Sequence, residues 1–280
     1  MTMRERVLIT AGELMNRLAA GERPAILDVR WRLDQPDGRE AFTAGHIPGA
    51  VYVSLDDDLS DHSVRGRGRH PLPAGTRLQE AARRWGVSSG QPVIVYDDWN
   101  RAGSARAWWV LTAAGLPNVR ILDGGWAAWR AAGGEPASGD THPRPGDVTV
   151  LHPDLYDGGL ATLTADEVAG LAVGTIVDAR APERFRGDTE PVDPVAGHIP
   201  GAVNLPSTSL LDAEGRFIAG AALRSRLSGL PENVGVYCGS GVTAAVVLAA
   251  FSAAGIDGAL FPGSWSQWSA EPDRPVSRGD

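Results

Sequence analysis

The sequence predicts an α/β protein made of two homologous domains, each with a mainly parallel sheet flanked by helices on both faces. Short β-rich runs alternate with helical stretches, which is typical of a parallel sheet covered by helices. The same landmarks occur twice in the same order, once in each half of the chain. With 280 residues, of which 43% are apolar and 21% charged, the chain is long enough for two domains that each bury a core.

The first half carries its predicted elements in a simple order. Thr10-Ala-Gly-Glu13 is a capping-box pattern, which predicts the start of a helix because each side chain can accept a backbone hydrogen bond. An apolar strand follows at residues 26–30, and a Gly-His-Ile-Pro-Gly-Ala-Val segment at 45–51. A helix is predicted at residues 78–85, a second strand at 93–97 and a second helix at 106–114. A Gly-Trp pattern at residues 124–129 ends this half.

The second half repeats these landmarks and begins with the capping-box pattern Thr164-Ala-Asp-Glu167. The matching strand lies at residues 176–180 and the matching Gly-His-Ile-Pro-Gly-Ala-Val segment at 197–203. The second strand, the helix and the Gly-Trp pattern lie at residues 234–237, 243–251 and 263–268. Residues 133–159 are rich in Gly, Pro and Asp and have little periodicity, which favours a linker. We therefore predict an N-terminal domain at residues 1–140, a linker at 141–159 and a C-terminal domain at 160–280.

Charge and composition exclude several classes of protein. A net charge of −8 argues against broad binding to nucleic acid or to anionic membranes. The longest apolar run, residues 242–255, is too short to span a bilayer, and Glu13 interrupts the start of the chain before a signal peptide could develop. Because one cysteine cannot form an intramolecular disulfide, we expect a cytoplasmic protein with a reduced thiol.

Cys238 is that cysteine, and it follows an apolar strand directly and precedes an apolar helix. Gly239 and Gly241 allow the intervening turn to adopt conformations closed to other residues. Successive N–H groups can then surround the sulfur near the positive end of the helix and stabilise a thiolate, which is the nucleophilic form. A lone buried cysteine that packs as a small hydrophobic residue is the competing interpretation.

The paired His-Ile-Pro-Gly-Ala segments, the Asp-x-Arg strands and the Cys-Gly-Ser-Gly-Val-Thr loop resemble the tandem-domain rhodanese family of thiosulfate and 3-mercaptopyruvate sulfurtransferases. The likeness covers nearly the whole chain. It implies two rhodanese-like domains, with Asp97 in place of the cysteine in the first and an active site between them. Cys238 would alternate between a thiolate and a persulfide as it passes a sulfane sulfur from a small-molecule donor to cyanide or a thiol.

The resemblance also implies which residues hold the reacting sulfur. Backbone amides of the loop would stabilise its negative charge, and the loop residues concerned are Gly239, Gly241, Val242 and Thr243. No metal or organic cofactor is expected, since the chemistry needs none and the six histidines show no zinc-ligand spacing.

The loop residue Ser240 bears on the identity of the donor. Thiosulfate-specific members carry cationic side chains inside this loop, whereas the loop here is neutral and resembles the 3-mercaptopyruvate type. In that type the loop serine works with a histidine and an aspartate from the other domain. The matching positions are His70 and Asp56, although Asp56 belongs to a run of three aspartates.

Arg184 matches the family arginine that binds the carboxylate of the donor, a role that suits a guanidinium because it can donate two parallel hydrogen bonds. A second arginine of the 3-mercaptopyruvate type, in Glu-Pro-Arg, is replaced in Glu190-Pro-Val-Asp193. The candidates to compensate are Arg69, Arg101 and Arg186. The neutral loop therefore favours 3-mercaptopyruvate, whereas the loss of the second arginine weakens the site for its carboxylate. The sequence leaves both donors open.

Several polar residues recur in both halves although only one half has the cysteine, so we interpret them as structural. Two Asp-Arg sets are expected to pair as buried ions, and two histidines follow the same logic; these residues are Asp28, Arg30, Asp178, Arg180, His46 and His198. Six tryptophans are assigned mainly to the cores and the domain interface: Trp108, Trp109, Trp126, Trp129, Trp265 and Trp268.

Three other functions compete with small-molecule sulfur transfer. A cysteine phosphatase would need an arginine six residues after the cysteine, where this chain has Ala244. A noncatalytic binding module fits the first half, with Asp97, better than the second. A relay that hands its persulfide to a protein acceptor would use the same site.

Overall fold

The computed structural model describes residues 1–231 and 234–280 and contains two parallel sheets covered by helices, which agrees with the predicted α/β class. The strands of the first sheet are β1 (Leu8–Ile9), β2 (Ala25–Asp28), β3 (Ala50–Tyr52), β4 (Val93–Tyr96) and β5 (Val119–Leu122). They lie in the order β1-β5-β4-β2-β3, and every pairing is parallel.

Seven helices accompany the first sheet: α1 (Met3–Val7), α2 (Ala11–Ala19), α3 (Arg39–Ala44), α4 (Leu55–Asp58), α5 (Gly75–Arg84), α6 (Ala102–Ala113) and α7 (Gly125–Ala131). The predicted helices at residues 78–85 and 106–114 are present but begin three or four residues earlier. For α6 the reason is Arg101, whose left-handed backbone, with φ of 64°, ends the preceding turn and starts the helix at once.

The second sheet has the order β7-β6-β8-β9, again wholly parallel. Its strands are β6 (Ile176–Asp178), β7 (Val203–Asn204), β8 (Val234–Tyr237) and β9 (Gly258–Leu260). The helices of this half are α8 (Ala165–Ala169), α9 (Pro182–Arg186), α10 (Gly220–Leu227), α11 (Ala244–Ala254) and α12 (Ser264–Trp268), with short 3-10 turns at Leu155–Asp157 and Ser207–Leu210. The strand and helix predicted on either side of Cys238 correspond to β8 and α11.

The two predicted capping boxes differ in outcome. Thr164 and Glu167 form a complete box at the start of α8. Thr10 caps α2 by accepting the N–H of Glu13, but the prediction of a reciprocal bond is wrong. The Glu13 carboxylate instead binds Arg17 and Arg120, the latter at 2.9 Å, because β5 brings a cation to that side of the helix.

The two halves share one core. Helices α6 and α11 are buried almost all round and pack against each other, so a single apolar cluster contains Trp109 from the first half and Phe251 from the second. Five of the six assigned tryptophans are buried and Trp126 is partly buried. The domain interface is therefore a continuation of both cores, built from the same kind of apolar contacts as the halves themselves.

Neither end of the predicted N-terminal domain is isolated from the second half. Arg4 of α1 donates to the carbonyls of Phe217 and Ile218 at 2.7 and 3.0 Å. Within residues 141–159, Val148 and Leu155 are buried in the shared core. The predicted domain boundaries stay a prediction, and the linker they define contributes these two side chains to the core, although its other residues are exposed or half-buried. None of the described helices is long and apolar enough to cross a membrane.

Candidate active site

Cys238 lies immediately after β8, at the carboxyl end of a strand flanked on both sides by parallel neighbours. Ligand sites in open α/β sheets form at this edge. The residue is only 2% exposed and belongs to the apolar cluster that the two halves share. The expectation that Cys238 sits at the turn is confirmed. A turn residue can also be part of the packed core, and Cys238 is, because the buried helix α11 brings the loop into the interface.

The loop after Cys238 presents a row of free backbone donors. Among the described residues, none of the N–H groups of residues 239–243 donates a hydrogen bond to a protein acceptor. Gly241 has a φ of +77°, and a side chain there would lie 2.6 Å from the carbonyl oxygen of Pro262. This conformation therefore requires glycine, and the unpaired amides beside the cysteine are of the kind that stabilises an anion. Val242 is buried, and Thr243 is the N-cap residue of α11, although its side chain makes no hydrogen bond to the helix.

Ser264, which was not among the predicted site residues, orients the cysteine. Its Oγ accepts the N–H of Cys238 at 3.2 Å and donates to the carbonyl of Phe261 at 2.9 Å. Ser264 has a φ of 53°, a strained conformation for a residue other than glycine. Its counterpart in the first half is Gly125, with a φ of 55°. The exchange of glycine for serine at this turn was the available signal.

Ser240, His70 and Asp56, predicted from distant parts of the chain, lie together beside this loop. Ser240 Oγ is 2.7 Å from His70 Nδ1, and His70 Nε2 is 3.2 Å from Asp56 Oδ1, although its N–H does not point directly at that oxygen. Of the three neighbouring aspartates, only Asp56 faces the histidine. Asp57 and Asp58 instead bind Ser54 at the start of α4.

Burial and mutual contact determine the protonation states of Asp56 and His70. The contact with His70 lowers the pKa of Asp56, so Asp56 is a carboxylate. Burial lowers the pKa of His70 from its ordinary 6.5, although Asp56 acts in the opposite direction, so the imidazole is neutral at neutral pH. With the proton on Nε2, the nitrogen nearer to Asp56, Nδ1 is free to accept the hydroxyl proton of Ser240.

Arg106 of α6 connects the two sides of the site, and it too was missed. Its guanidinium is fully buried and donates to the carbonyls of Leu59 and His70 in the first half, both at 3.0 Å, and to that of Gly241 at 3.2 Å. Burial lowers the pKa of Arg106 from 12.5 to about 10. No local sequence pattern indicated this role, since the residue reads as part of an apolar helix.

Arg184 lies beside the cysteine loop, but acidic side chains already hold part of it. Its Nη2 is 2.7 Å from Glu190 Oε1 and 3.3 Å from Asp193 Oδ2. Burial acts to raise the pKa of Glu190, but hydrogen bonds from Arg184 and from the backbone outweigh it, so the pKa falls. Residues 190–193, where the second arginine was expected, thus supply two carboxylates that bind Arg184.

Only one of the three compensating candidates reaches the loop. Arg101 is buried in the first half and pairs with Asp97 at 2.8 Å. Arg186 pairs with Asp188 at the surface. Arg69 comes from the loop that carries His70, and its Nη2 would lie 3.1 Å from a methyl group placed on Gly239.

The equivalent position of the first half is filled by an ion pair. Asp97 follows β4 and accepts the N–H and the hydroxyl of Ser104 at 3.0 and 2.7 Å. The Arg101 guanidinium occupies the adjacent space so closely that a side chain on Gly125 would meet its Nη1. The amide cradle of this half therefore holds the protein's own carboxylate.

The recurring polar residues stabilise the scaffold in the same way in both halves. Asp28 pairs with Arg30 at 2.9 Å, and Asp178 pairs with Arg180 at 2.6 Å, so the predicted buried ion pairs are confirmed. The remaining recurring residues, His46 and His198, bond to the backbone carbonyls of Phe42 and Phe185 and stack on the same rings.

Comparison with known proteins agrees with this architecture. A model of the rhodanese-like domain matches residues 10–132 and again 162–271. The chain is 61% identical over its whole length to the "Putative thiosulfate sulfurtransferase SseB" of Mycobacterium tuberculosis, of which it covers 99%. It is 43% identical to the "Probable 3-mercaptopyruvate sulfurtransferase" of Pseudomonas aeruginosa, over 98% of both chains. The solved 3-mercaptopyruvate sulfurtransferase from Leishmania major superposes with a TM-score of 0.82 at 30% identity, covering 95% of this chain and 74% of that one.

Proposed function

The chain belongs to the rhodanese-like domain family and is a sulfurtransferase, and on that premise we propose that it takes a sulfane sulfur from 3-mercaptopyruvate through a persulfide on Cys238. One observation carries the choice of donor. Ser240 Oγ lies 2.7 Å from the neutral imidazole of His70, which Asp56 backs, so the cysteine loop contains a proton relay. Thiosulfate would leave as sulfite and has no need of one.

In the first half-reaction the Cys238 thiolate attacks the sulfur of the donor. A sulfur–sulfur bond forms, the carbon–sulfur bond breaks, and its electron pair passes to the carbon and the neighbouring carbonyl oxygen as an enolate. The proton of the donor thiol remains on the transferred sulfur. The Ser240 hydroxyl protonates the enolate to give pyruvate and recovers the proton of the new persulfide by way of His70.

In the second half-reaction a thiophilic acceptor, a thiol or cyanide, attacks the outer sulfur and the Cys238 thiolate leaves. The free amides of residues 239–243 support both half-reactions, because they can stabilise a negative charge on the inner or the outer sulfur. A protein persulfide acceptor would need the same chemistry. We propose a cytoplasmic location, since the catalytic thiol has to stay reduced.

The test compares 3-mercaptopyruvate and thiosulfate side by side, in wild type and in His70→Gln, with the exposed His142→Gln as a matched control. We expect His70→Gln to lower kcat with 3-mercaptopyruvate about a hundredfold or more, in the range of general acid–base catalysis, and to change thiosulfate turnover far less. Faster wild-type turnover of thiosulfate, with an equal effect of His70→Gln on both donors, would overturn the choice of donor.

Mass spectrometry supplies the second readout. After treatment with the donor, the wild type should gain one sulfur on Cys238 and Cys238→Ser should gain none. A persulfide at any other residue would refute the assignment of the nucleophile.

A further inference from the structure

We propose that Arg69, brought into the site by the first half of the chain, is the second member of a two-arginine clamp for the anionic group of the donor, and that Asp193 occupies this clamp when no donor is bound. The proposal deepens the function proposed above and rests on it for the position of the site. It explains how the chain manages without the arginine that Glu190-Pro-Val-Asp193 lacks.

The two guanidinium groups converge on the residue after the nucleophile from opposite halves of the chain. A methyl group on Gly239 would lie 3.1 Å from Nη2 of Arg69 and 3.5 Å from Nη1 of Arg184. Both nitrogens are therefore within a few ångströms of the backbone that cradles the sulfur. A donor whose sulfur contacts Cys238 would bring its anionic end to this place.

Each guanidinium keeps donors that the protein does not use. Arg184 engages Glu190 and Asp193 through Nε and Nη2, which leaves Nη1 without an acceptor among the described residues. Arg69 binds Asp193 through Nη1, whereas its Nε is buried and has no acceptor in residues 1–231 and 234–280. Its Nη2 is likewise unpaired there. Guanidinium donors without a protein acceptor remain available to the anionic group of a donor.

The backbone of Arg69 is anchored to the second half of the chain independently of its side-chain ion pair. Its N–H donates to Ser266 Oγ at 3.0 Å. The preceding residue, Gly68, has a φ of +81°, and a side chain there would lie 2.4 Å from the carbonyl oxygen of Gly263. The loop from the first half is thus fastened to the turn that also carries Ser264.

Asp193 has the geometry of a bound anion. Its side chain is 3% exposed, and its two oxygens reach different arginines, Oδ1 to Arg69 and Oδ2 to Arg184. Burial raises the pKa of Asp193, and the two guanidinium groups offset this only in part. The anionic group of a donor would meet the same two arginines and would compete with this carboxylate for them.

Binding without turnover tests the proposal independently of the reaction. In the Cys238→Ser protein, calorimetry with pyruvate and with sulfite measures the affinity of the clamp for a carboxylate and for a sulfur oxyanion. We expect Arg69→Ala to weaken pyruvate binding about tenfold to a hundredfold, as for a charge-assisted hydrogen bond, and the exposed Arg65→Ala of the same loop to leave it unchanged. Stronger loss with sulfite than with pyruvate would point to thiosulfate as the donor and not to 3-mercaptopyruvate.

Asp193→Asn separates a clamp from a merely structural pair. If Asp193 competes with the donor, its neutral variant binds pyruvate more tightly than the parent protein. If Arg69 matters only because it holds Asp193, Asp193→Asn weakens binding as much as Arg69→Ala, and the proposal fails. Equal affinities for Arg69→Ala and Arg65→Ala would also overturn it. Because none of these outcomes requires turnover, a failure of the proposed reaction would be seen separately.

Discussion

Replacing Arg106 by methionine should loosen the contact between the two halves and disable the proton relay together. Arg106 is fully buried and its three hydrogen bonds all go to carbonyl oxygens, at Leu59, His70 and Gly241. Methionine has nearly the same length but donates nothing. The substitution therefore leaves three carbonyl groups without their donor in the interface beside Cys238.

The magnitude follows from two opposing terms. An orphaned buried acceptor costs about 1–3 kcal/mol, so three of them cost roughly 3–9 kcal/mol. The substitution also removes a buried cation, which stabilises the folded protein. The pKa of Arg106, lowered from 12.5 to about 10, puts the cost of burying that charge at roughly 3 kcal/mol. We expect a net loss of roughly 3 kcal/mol in the free energy of unfolding.

The assay combines urea unfolding, followed by tryptophan fluorescence, with kcat for 3-mercaptopyruvate. Arg106→Met should lower the urea midpoint and also lower kcat, because the carbonyl of His70 loses its anchor and the imidazole no longer stays in register with Ser240. The exposed Arg6→Met serves as the control. An Arg106→Met protein with wild-type stability and kcat would refute the reasoning, since it would show that the buried cation costs as much as its bonds return and positions nothing.

Further substitutions and a pH series probe the remaining parts of the site. Burial lowers the pKa of His70, and a base with a lowered pKa stays neutral to lower pH, so the acid limb of the kcat profile should lie below pH 6.5; a limb above it, absent from His70→Gln, contradicts the relay. Gly239→Ala places a methyl group 3.1 Å from Arg69 and should raise KM several-fold more than it lowers kcat, and steady-state kinetics with unchanged KM would place the donor elsewhere. Ser264→Ala leaves the buried N–H of Cys238 without its acceptor, so it should lower the unfolding midpoint and also lower the rate of persulfide formation about tenfold; a lower midpoint with an unaltered rate by stopped flow would assign Ser264 to the turn alone.

The repeat, the strands on which it rests and the nucleophile were determined by local sequence. Strand β8 begins and ends where the apolar run predicts, and Cys238 follows it as expected. The conformation of the loop could also be predicted, since glycines mark where the backbone must take unusual angles. Such features depend on residues within a few positions of one another, so the printed sequence contains all the information that they need.

Only the tertiary structure decided which side chains meet. His70 and Ser240 are 170 residues apart, and Arg69 and Asp193 are 124 apart. The family resemblance named Asp56 within its run of three aspartates, but it left three arginines open, because spacing along the chain says nothing about which of them the packed helices α6 and α11 bring to the cysteine. Arg106 could not be identified at all, since a cation inside an apolar helix gains its meaning from carbonyl groups that another element supplies. The chemistry of the nucleophile is thus local, whereas the groups proposed to bind the donor and move its proton exist only where the two halves come together.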